Sequence, residues 1–375
     1  MAKAKTETSL EEFVGASKWK NLEEHLDDLR ERVDASITLS NELRSKYREE
    51  LLASNPGLRD KIIRPSDAAL ENAQNLLGTG TVAASDGTVT FVPLLGGSKI
   101  QVGVVIVFNH GEVVDWITKV FETEITERGA NATDFFSNLR GTRKISNILA
   151  RAIMLYGERK LLLDERADWR MLHGELIPHE LRTGAGRPEK NLGLAFDLVG
   201  NYVNTKQFLA VSEASDDIDI LNAAILLEPG EYVVVKSLED TLTSFLEGDE
   251  ATGQSRANFS RRDEAKFREF IKKVGPQVTI VLAKAGNKPF LLECHSDRVE
   301  EAVALFLADS LWTRGFPMDG SGFTVRGFPF HIDLADQIAR TLIKGSEFQN
   351  FVECRLFDLN VESGVFEIDA RRTRV

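Results

Sequence analysis

The sequence predicts an α/β protein, a mixed sheet flanked by helices and preceded by an N-terminal helical arm. Three observations carry this. Apolar residues recur three or four apart from Ser9 to Leu52, three segments rich in β-branched residues follow one another between Thr81 and Phe121, and helical and strand patterns then alternate. In a chain of 375 residues, a 42% hydrophobic content is enough to bury the core of one large or two modest domains.

Charge narrows the function classes. With 46 Lys+Arg against 58 Asp+Glu the net charge is -12, so the overall field repels nucleic acid and such a partner needs a local basic patch. No stretch reaches the roughly 18 uninterrupted apolar residues of a membrane span, and Met1-Ala2-Lys3-Ala4-Lys5 is not followed by the apolar segment of a signal peptide. A cytoplasmic protein is expected. Cys294 and Cys354 lie far apart without a partner motif, which suits reduced core thiols better than a disulfide or zinc site.

In the arm, Leu22, Leu29, Val33, Ile37, Leu39 and Leu43 alternate with charged positions, and Ser9 with Glu12 has the form of a capping box. The pattern suits an arm packing on the body, with a dimerising coiled coil as the alternative. Pro56-Gly57 and Arg64-Pro65 break it, and a short helix from Asp67 to Leu77 ends at Gly78. The arm is therefore assigned to 1–78 and the body to 79–375.

The body opens with strands at Thr81–Val92, Ile100–Phe108 and Glu112–Phe121, joined by short turns into an antiparallel meander. A long helix from Thr133 to Glu165 follows, broken or locally weakened at Gly141 and Gly157, and then a strand from Trp169 that ends in a turn at Pro178. Meander, helix, strand is the order of an RNase H-like core. Further strands are expected at Phe208–Val211, Tyr232–Val235, Val278–Leu282 and Phe290–Glu293, the last two as a hairpin. Between them, 247–273 reads as a basic helical insertion in which Phe259, Phe267 and Phe270 interleave with Arg261, Arg262 and other cations, either a phosphate-binding face or a solvated one. An amphipathic helix covers Arg298–Trp312, and Pro329 introduces a last helix carrying His331, Asp333 and Asp336.

Asp86 is the first candidate for chemistry. It sits in Ala83-Ala84-Ser85-Asp86-Gly87-Thr88, where a carboxylate interrupts an apolar run, and Asp-Gly suits either a hairpin turn or a functional carboxylate. In the last helix, Asp333 and Asp336 with His331 offer a metal-binding or acid/base face, although acids in a first turn are also favoured by the helix dipole.

The order of these short motifs resembles the NurA family of DNA nucleases: Ala84-Ser85-Asp86-Gly87, a glutamate on the long helix, Leu172-His173-Gly174-Glu175-Leu176-Ile177-Pro178, Leu209-Ala210-Val211-Ser212, Pro289-Phe290-Leu291-Leu292-Glu293, and Gly327-Phe328-Pro329-Phe330 leading to Ala335-Asp336 and Ala339. The similarity runs over about residues 80 to 345. It implies an RNase H-like nuclease core, Mn²⁺- or Mg²⁺-dependent cleavage of DNA ends, a ring-like homodimer, and partnership with a hexameric HerA-type ATPase that translocates DNA.

Carried across by motif, the site consists of Asp86, with Glu158 as the helical glutamate and Glu165 as its fallback. Where the family has a second Asp-Gly this chain has His173-Gly174, and where the family often has Ala-His it has Ala335-Asp336. The resemblance therefore implies a catalytic set of Asp86, Glu158, His173 and Asp336, with Asp86, Glu158 and His173 as metal ligands and Glu175, His179 and Glu180 near enough in sequence to substitute. Carboxylates supply the hard oxygens that Mg²⁺ and Mn²⁺ prefer, and an imidazole ligand tilts the preference toward manganese. Arg140, Arg143, Lys144, Arg261 and Arg262 are the candidates to line a DNA path. The expected function is a metal-dependent deoxyribonuclease acting on DNA ends, in repair or in defence against phage and other foreign DNA. The two departures keep open a catalytically inactive DNA-binding or assembly subunit, and a third reading is a different metal hydrolase centred on His173, Glu175 and His179.

Overall fold

The computed structural model describes residues 22–94, 97–110, 113–126, 132–213, 226–248, 257–286, 288–314, 327–342 and 345–359, with the side chains of 22–28, 30–31, 132–147, 312–314 and some at the ends of the first three strands and of the last two helices outside that description. The chain divides into two compact units, Met1–Arg59 and Asp60–Val375. In the first, a long helix, α1 (Leu22–Ser54), exposes Leu29, Val33, Ile37, Leu43 and Tyr47, and a short helix, α2 (Pro56–Arg59), follows it. The expected helical segment from Ser9 to Asn21 lies outside the described residues.

The second unit is built on one eight-stranded sheet. Its strands are β1 (Val82–Leu94), β2 (Gly97–His110), β3 (Val113–Thr126), β4 (Trp169–His173), β5 (Phe208–Ser212), β6 (Tyr232–Ser237), β7 (Val278–Lys284) and β8 (Pro289–His295), in the order β3-β2-β1-β4-β5-β8-β7-β6. The meander β1–β2–β3 is antiparallel, β1, β4 and β5 run parallel, and β8, β7 and β6 complete the sheet antiparallel. The first five strands thus have the order and directions of an RNase H-like sheet, as expected.

Alternation along the central strands explains the layers. Ala83, Leu172, Phe208 and Ala210 point into one core, while Val82, Ala84, Met171, Leu209 and Val211 point into the other. Strands apolar on both faces require helices on both sides. The first face is covered by α4 (Ala132–Asp164), α6 (Pro188–Thr205), α7 (Leu238–Glu247) and α8 (Arg261–Val274); α5 is the single turn His179–Arg182. The second is covered by α3 (Asp67–Gly78), α9 (Val299–Arg314) and α10 (Phe330–Leu342); α11 (Gly345–Asp358) follows. Ser66 caps α3 by accepting from the Ala69 N–H, and Ala73 and Leu77 bring that helix into the body's core.

Three local expectations are corrected. Helix α4 runs unbroken through Gly141 and Gly157. Phe267 and Phe270 are core residues, Phe196 stacking on Phe270 at 4.1 Å, and Phe259 stacks on Phe267 at 5.6 Å, so these rings belong to the core and not to the face that carries the cations. Cys294 is buried as expected but Cys354 is exposed; both are free thiols.

Candidate functional site

The site begins where β4 stops. The parallel pairing of β1 with β4 ends at Ser85↔Leu172, and β4 itself ends one residue later at His173. Strand β1 continues, pairing Asp86 with Val105 and Gly87 with Val104 of β2. Asp86-Gly87 is therefore mid-strand, not a turn, and the buried Asp86 stands beside the last residue of its shorter neighbour. Its Oδ2 lies 3.1 Å from His173 Nδ1, and its Oδ1 accepts the Gly87 N–H at 2.8 Å.

Glu158 arrives from α4. The helix crosses β1 and β2, its Gly157 placing a would-be Cβ 3.5 Å from Val104 Cγ2, and the Ser85 hydroxyl donates to the Glu158 carbonyl at 3.4 Å. The Glu158 side chain is almost wholly buried. Its Oε2 accepts from Arg159 at 3.3 Å, while its Oε1, buried, has no hydrogen-bond partner among the described residues. Burial, and then the neighbouring charge of Asp86, raise the Glu158 carboxyl to about 8. Arg159 is its direct counter-charge, through Oε2, and Oε1 is left without a partner among the described residues.

The imidazole of His173 is also raised, but by its charged neighbours and not by burial. Burial works against its protonation, but the hydrogen bond and charge of Asp86, with Glu158 and Glu213 beyond, lift it to about 9. Its Nε2 is 3.9 Å from Glu213 Oε1, and Phe328 meets the ring edge at 5.5 Å. Asp336, on α10, is raised by burial and by the charge of Asp86, and it pairs with Arg340 at 2.7 Å. Asp333, one turn earlier, is raised to about 6 by burial and then by Asp336. Asp86, Glu158, His173, Asp333, Asp336 and Glu213 thus form one acidic neighbourhood around a single imidazole.

The donor types fit a hard divalent cation. Asp86 and Glu158 offer carboxylate oxygens, Glu158 Oε1 is an orphaned buried acceptor, and mutual repulsion is the cost a cation relieves. Among the described residues, however, no three His, Cys, Asp or Glu side chains are grouped closely enough to hold an ion as they stand.

Other candidates have other employment. Glu175 pairs with Arg182, Glu180 with Arg151 at 3.6 Å, and the His179 ring meets Phe245 at 6.1 Å, so a centre on His173, Glu175 and His179 is not assembled. The fallback Glu165 follows the C-terminal end of α4, beyond Glu158. His331 faces away: fully buried, it holds Asp309 Oδ1 through Nδ1 at 2.6 Å. Arg261 and Arg262 are exposed on the first turn of α8, whereas the side chains of Arg140, Arg143 and Lys144 lie outside the described residues. Sequence reasoning missed Glu213 and Arg159. Glu213 could have been found as the first polar residue after β5, the parallel neighbour of β4.

No family model and no curated protein matches the sequence. Among solved structures the chain is similar to the NurA nuclease from Sulfolobus solfataricus, with 12% identity over 84% of this chain and 97% of that one at a TM-score of 0.46. It is similar also to NurA bound to dAMP and manganese, with 9% identity over 82% and 92% of the two chains at a TM-score of 0.41. An endonuclease V from Bacillus subtilis shares 10% identity over 74% of this chain and 92% of that one, at a TM-score of 0.31.

Proposed function

We propose that the chain is a divalent-metal-dependent deoxyribonuclease of the NurA type, acting on DNA ends. The observation that carries this reading is the meeting of Asp86, Glu158 and His173 at the end of β4 on an RNase H-like sheet, with Asp336 facing them from α10. Asp86 and Glu158 would hold the ion, and the outward Nε2 of His173 is the nitrogen left for it, since Nδ1 is engaged by Asp86. A bound Mn²⁺ or Mg²⁺ would supply Lewis-acid stabilisation of the phosphodiester and would make an attacking water more acidic.

The chain's own residues do the rest. Asp86 holds His173 in one orientation, and the buried surroundings of Glu158 keep bulk water from the carboxylate that faces the site. Arg140, Arg143, Lys144, Arg261 and Arg262 are proposed to carry the DNA phosphates past an otherwise acidic surface. Assembly as a homodimer on a HerA-type ATPase ring, working in the cytoplasm in end processing or antiviral defence, completes the proposal. Light scattering of the purified chain, and co-purification with such an ATPase, test the assembly.

Incubation with linear and circular DNA in Mn²⁺ or Mg²⁺, with the ATPase supplied, tests the chemistry. Metal-dependent degradation of linear DNA is expected, with Asp86→Ala slower by about a hundredfold or more at unchanged fold. Equal cutting by Asp86→Ala would remove the site from this position. One observation favours a second reading, a non-catalytic DNA-binding subunit: the undergrouped donors described above. Tight DNA binding with no cleavage in either metal would establish it.

A further inference from the structure

The residue after Glu158 is the largest wholly buried side chain among the described residues of the body. Arg159 donates through Nε to the Leu176 carbonyl at 2.9 Å, and through Nη1 to the Leu155 carbonyl at 2.9 Å and to Glu158 Oε2 at 3.3 Å. Its Nη2 donates to the Glu175 carbonyl, and its own carbonyl accepts the Tyr202 hydroxyl at 2.6 Å. A buried guanidinium is costly, and a core-filling role alone is served as well by an apolar side chain of similar volume. Of its hydrogen-bond acceptors among the described residues, only Glu158 is charged.

Two of these bonds fall on the segment that leaves His173. Gly174 has φ +79° and turns the chain, and the next two carbonyls, of Glu175 and Leu176, are both taken by Arg159. The Leu176 N–H is held from the other side by Glu293 Oε2 at 2.7 Å. The guanidinium therefore ties the helix that supplies Glu158 to the loop that anchors His173. It also occupies Oε2 of Glu158, which leaves Oε1, the orphaned oxygen, as the one presented toward Gly87 and the site.

We infer that Arg159 is a positioning residue for the metal site: its planar fork selects the Glu158 oxygen offered to the cation and fixes Glu158 and His173 relative to each other. The inference rests on the metal-dependent reading above. A lysine keeps the charge but lacks the fork, and methionine keeps the approximate volume but neither.

Arg159→Lys and Arg159→Met are compared with the parent for thermal unfolding, DNA binding without metal, and Mn²⁺ affinity measured by calorimetry on the folded protein. The expected result is a tenfold or greater loss of Mn²⁺ affinity in Arg159→Met, a smaller loss in Arg159→Lys, and DNA binding unchanged in both. Parental Mn²⁺ affinity in a folded Arg159→Met would overturn the inference while leaving the nuclease reading intact. A parent that binds no Mn²⁺ would overturn both. A second measurement does not depend on the Arg159 variants folding. In the parent the Arg159 guanidinium ¹⁵N resonances are expected to shift on titration with Mg²⁺, and a parent that binds Mg²⁺ with no such shift would also overturn it.

Discussion

Glu158 Oε1 lies 2.6 Å from the point a Cβ would occupy on Gly87. The same Cβ would meet Met154 Cγ at 2.9 Å and the Gly103 carbonyl at 3.0 Å, so neither the helix nor β2 gives it room. Glycine is needed here for close approach; no positive φ is involved.

Gly87→Ala is expected to push the Glu158 carboxylate away from Asp86 and to cost about 1–3 kcal/mol through overpacking. Chemical denaturation gives the stability change and Mn²⁺ titration the functional one. Parental affinity and stability in Gly87→Ala would show that Glu158 has other room.

The same contact shows what sequence could and could not tell. The strands were legible because β-branched residues alternate between two cores, and Asp86 stood out as a carboxylate in an apolar run. Its setting was not legible. Asp-Gly favours a turn locally, but Gly87 is there to admit a side chain from a distant helix, a constraint only the folded chain reveals. His331 misled for the same reason: its partner Asp309 sits on another helix, and tertiary packing decides which face of α10 carries the site. Phe267 and Phe270 read as part of a basic face that could touch phosphates because cations flank them in sequence. On α8 the helical period turns the two sets to opposite sides.

In the metal-free protein both Glu158 and His173 bind protons more tightly folded than unfolded. Glu158 rises from 4.5 to about 8 and His173 from 6.5 to about 9. For a raised group the stabilising contribution is present below the unfolded pKa and is lost as pH rises through the folded one. Melting temperature without metal should therefore fall between about pH 5 and 9. Added Mg²⁺ should offset that fall increasingly toward alkaline pH, because cation and proton compete for one carboxylate. A metal-induced stabilisation independent of pH would contradict the assignment.

Asp86→Asn removes the charge that raises His173, as well as a charge that raises Glu158. NMR titration of the metal-free variant should show the His173 imidazole titrating below the parent's value of about 9, because burial then acts with less opposition. An unchanged titration would mean that Asp86 is not the group that orients the ring.

Asp309 accepts both the His331 N–H at 3.1 Å and its Nδ1 contact, and both side chains are fully buried. Asp309→Ala leaves a buried imidazole and a helix-end N–H without that acceptor, and is expected to cost about 3–5 kcal/mol. Since α10 also carries Asp333 and Asp336, the variant should lose activity through displacement of that helix. Denaturation measures the first effect, and the second should disappear in Asp309→Asn wherever the amide oxygen still caps the His331 N–H.

His173 decides how the altered motif works. Its Nδ1 is committed to Asp86, so if the ring also meets the cation it does so through Nε2, which now faces Glu213 at 3.9 Å. Imidazole suits Mn²⁺ better than Mg²⁺, so His173→Gln should reduce cleavage about tenfold or more in Mn²⁺ and less in Mg²⁺. DNA affinity should stay at the parent's value, because no phosphate contact is assigned to this ring. A uniform loss in both metals would instead mark His173 as the residue that orients Asp86 or moves a proton. Full activity in both would make it a structural neighbour of Phe328, whose ring it meets edge-on at 5.5 Å.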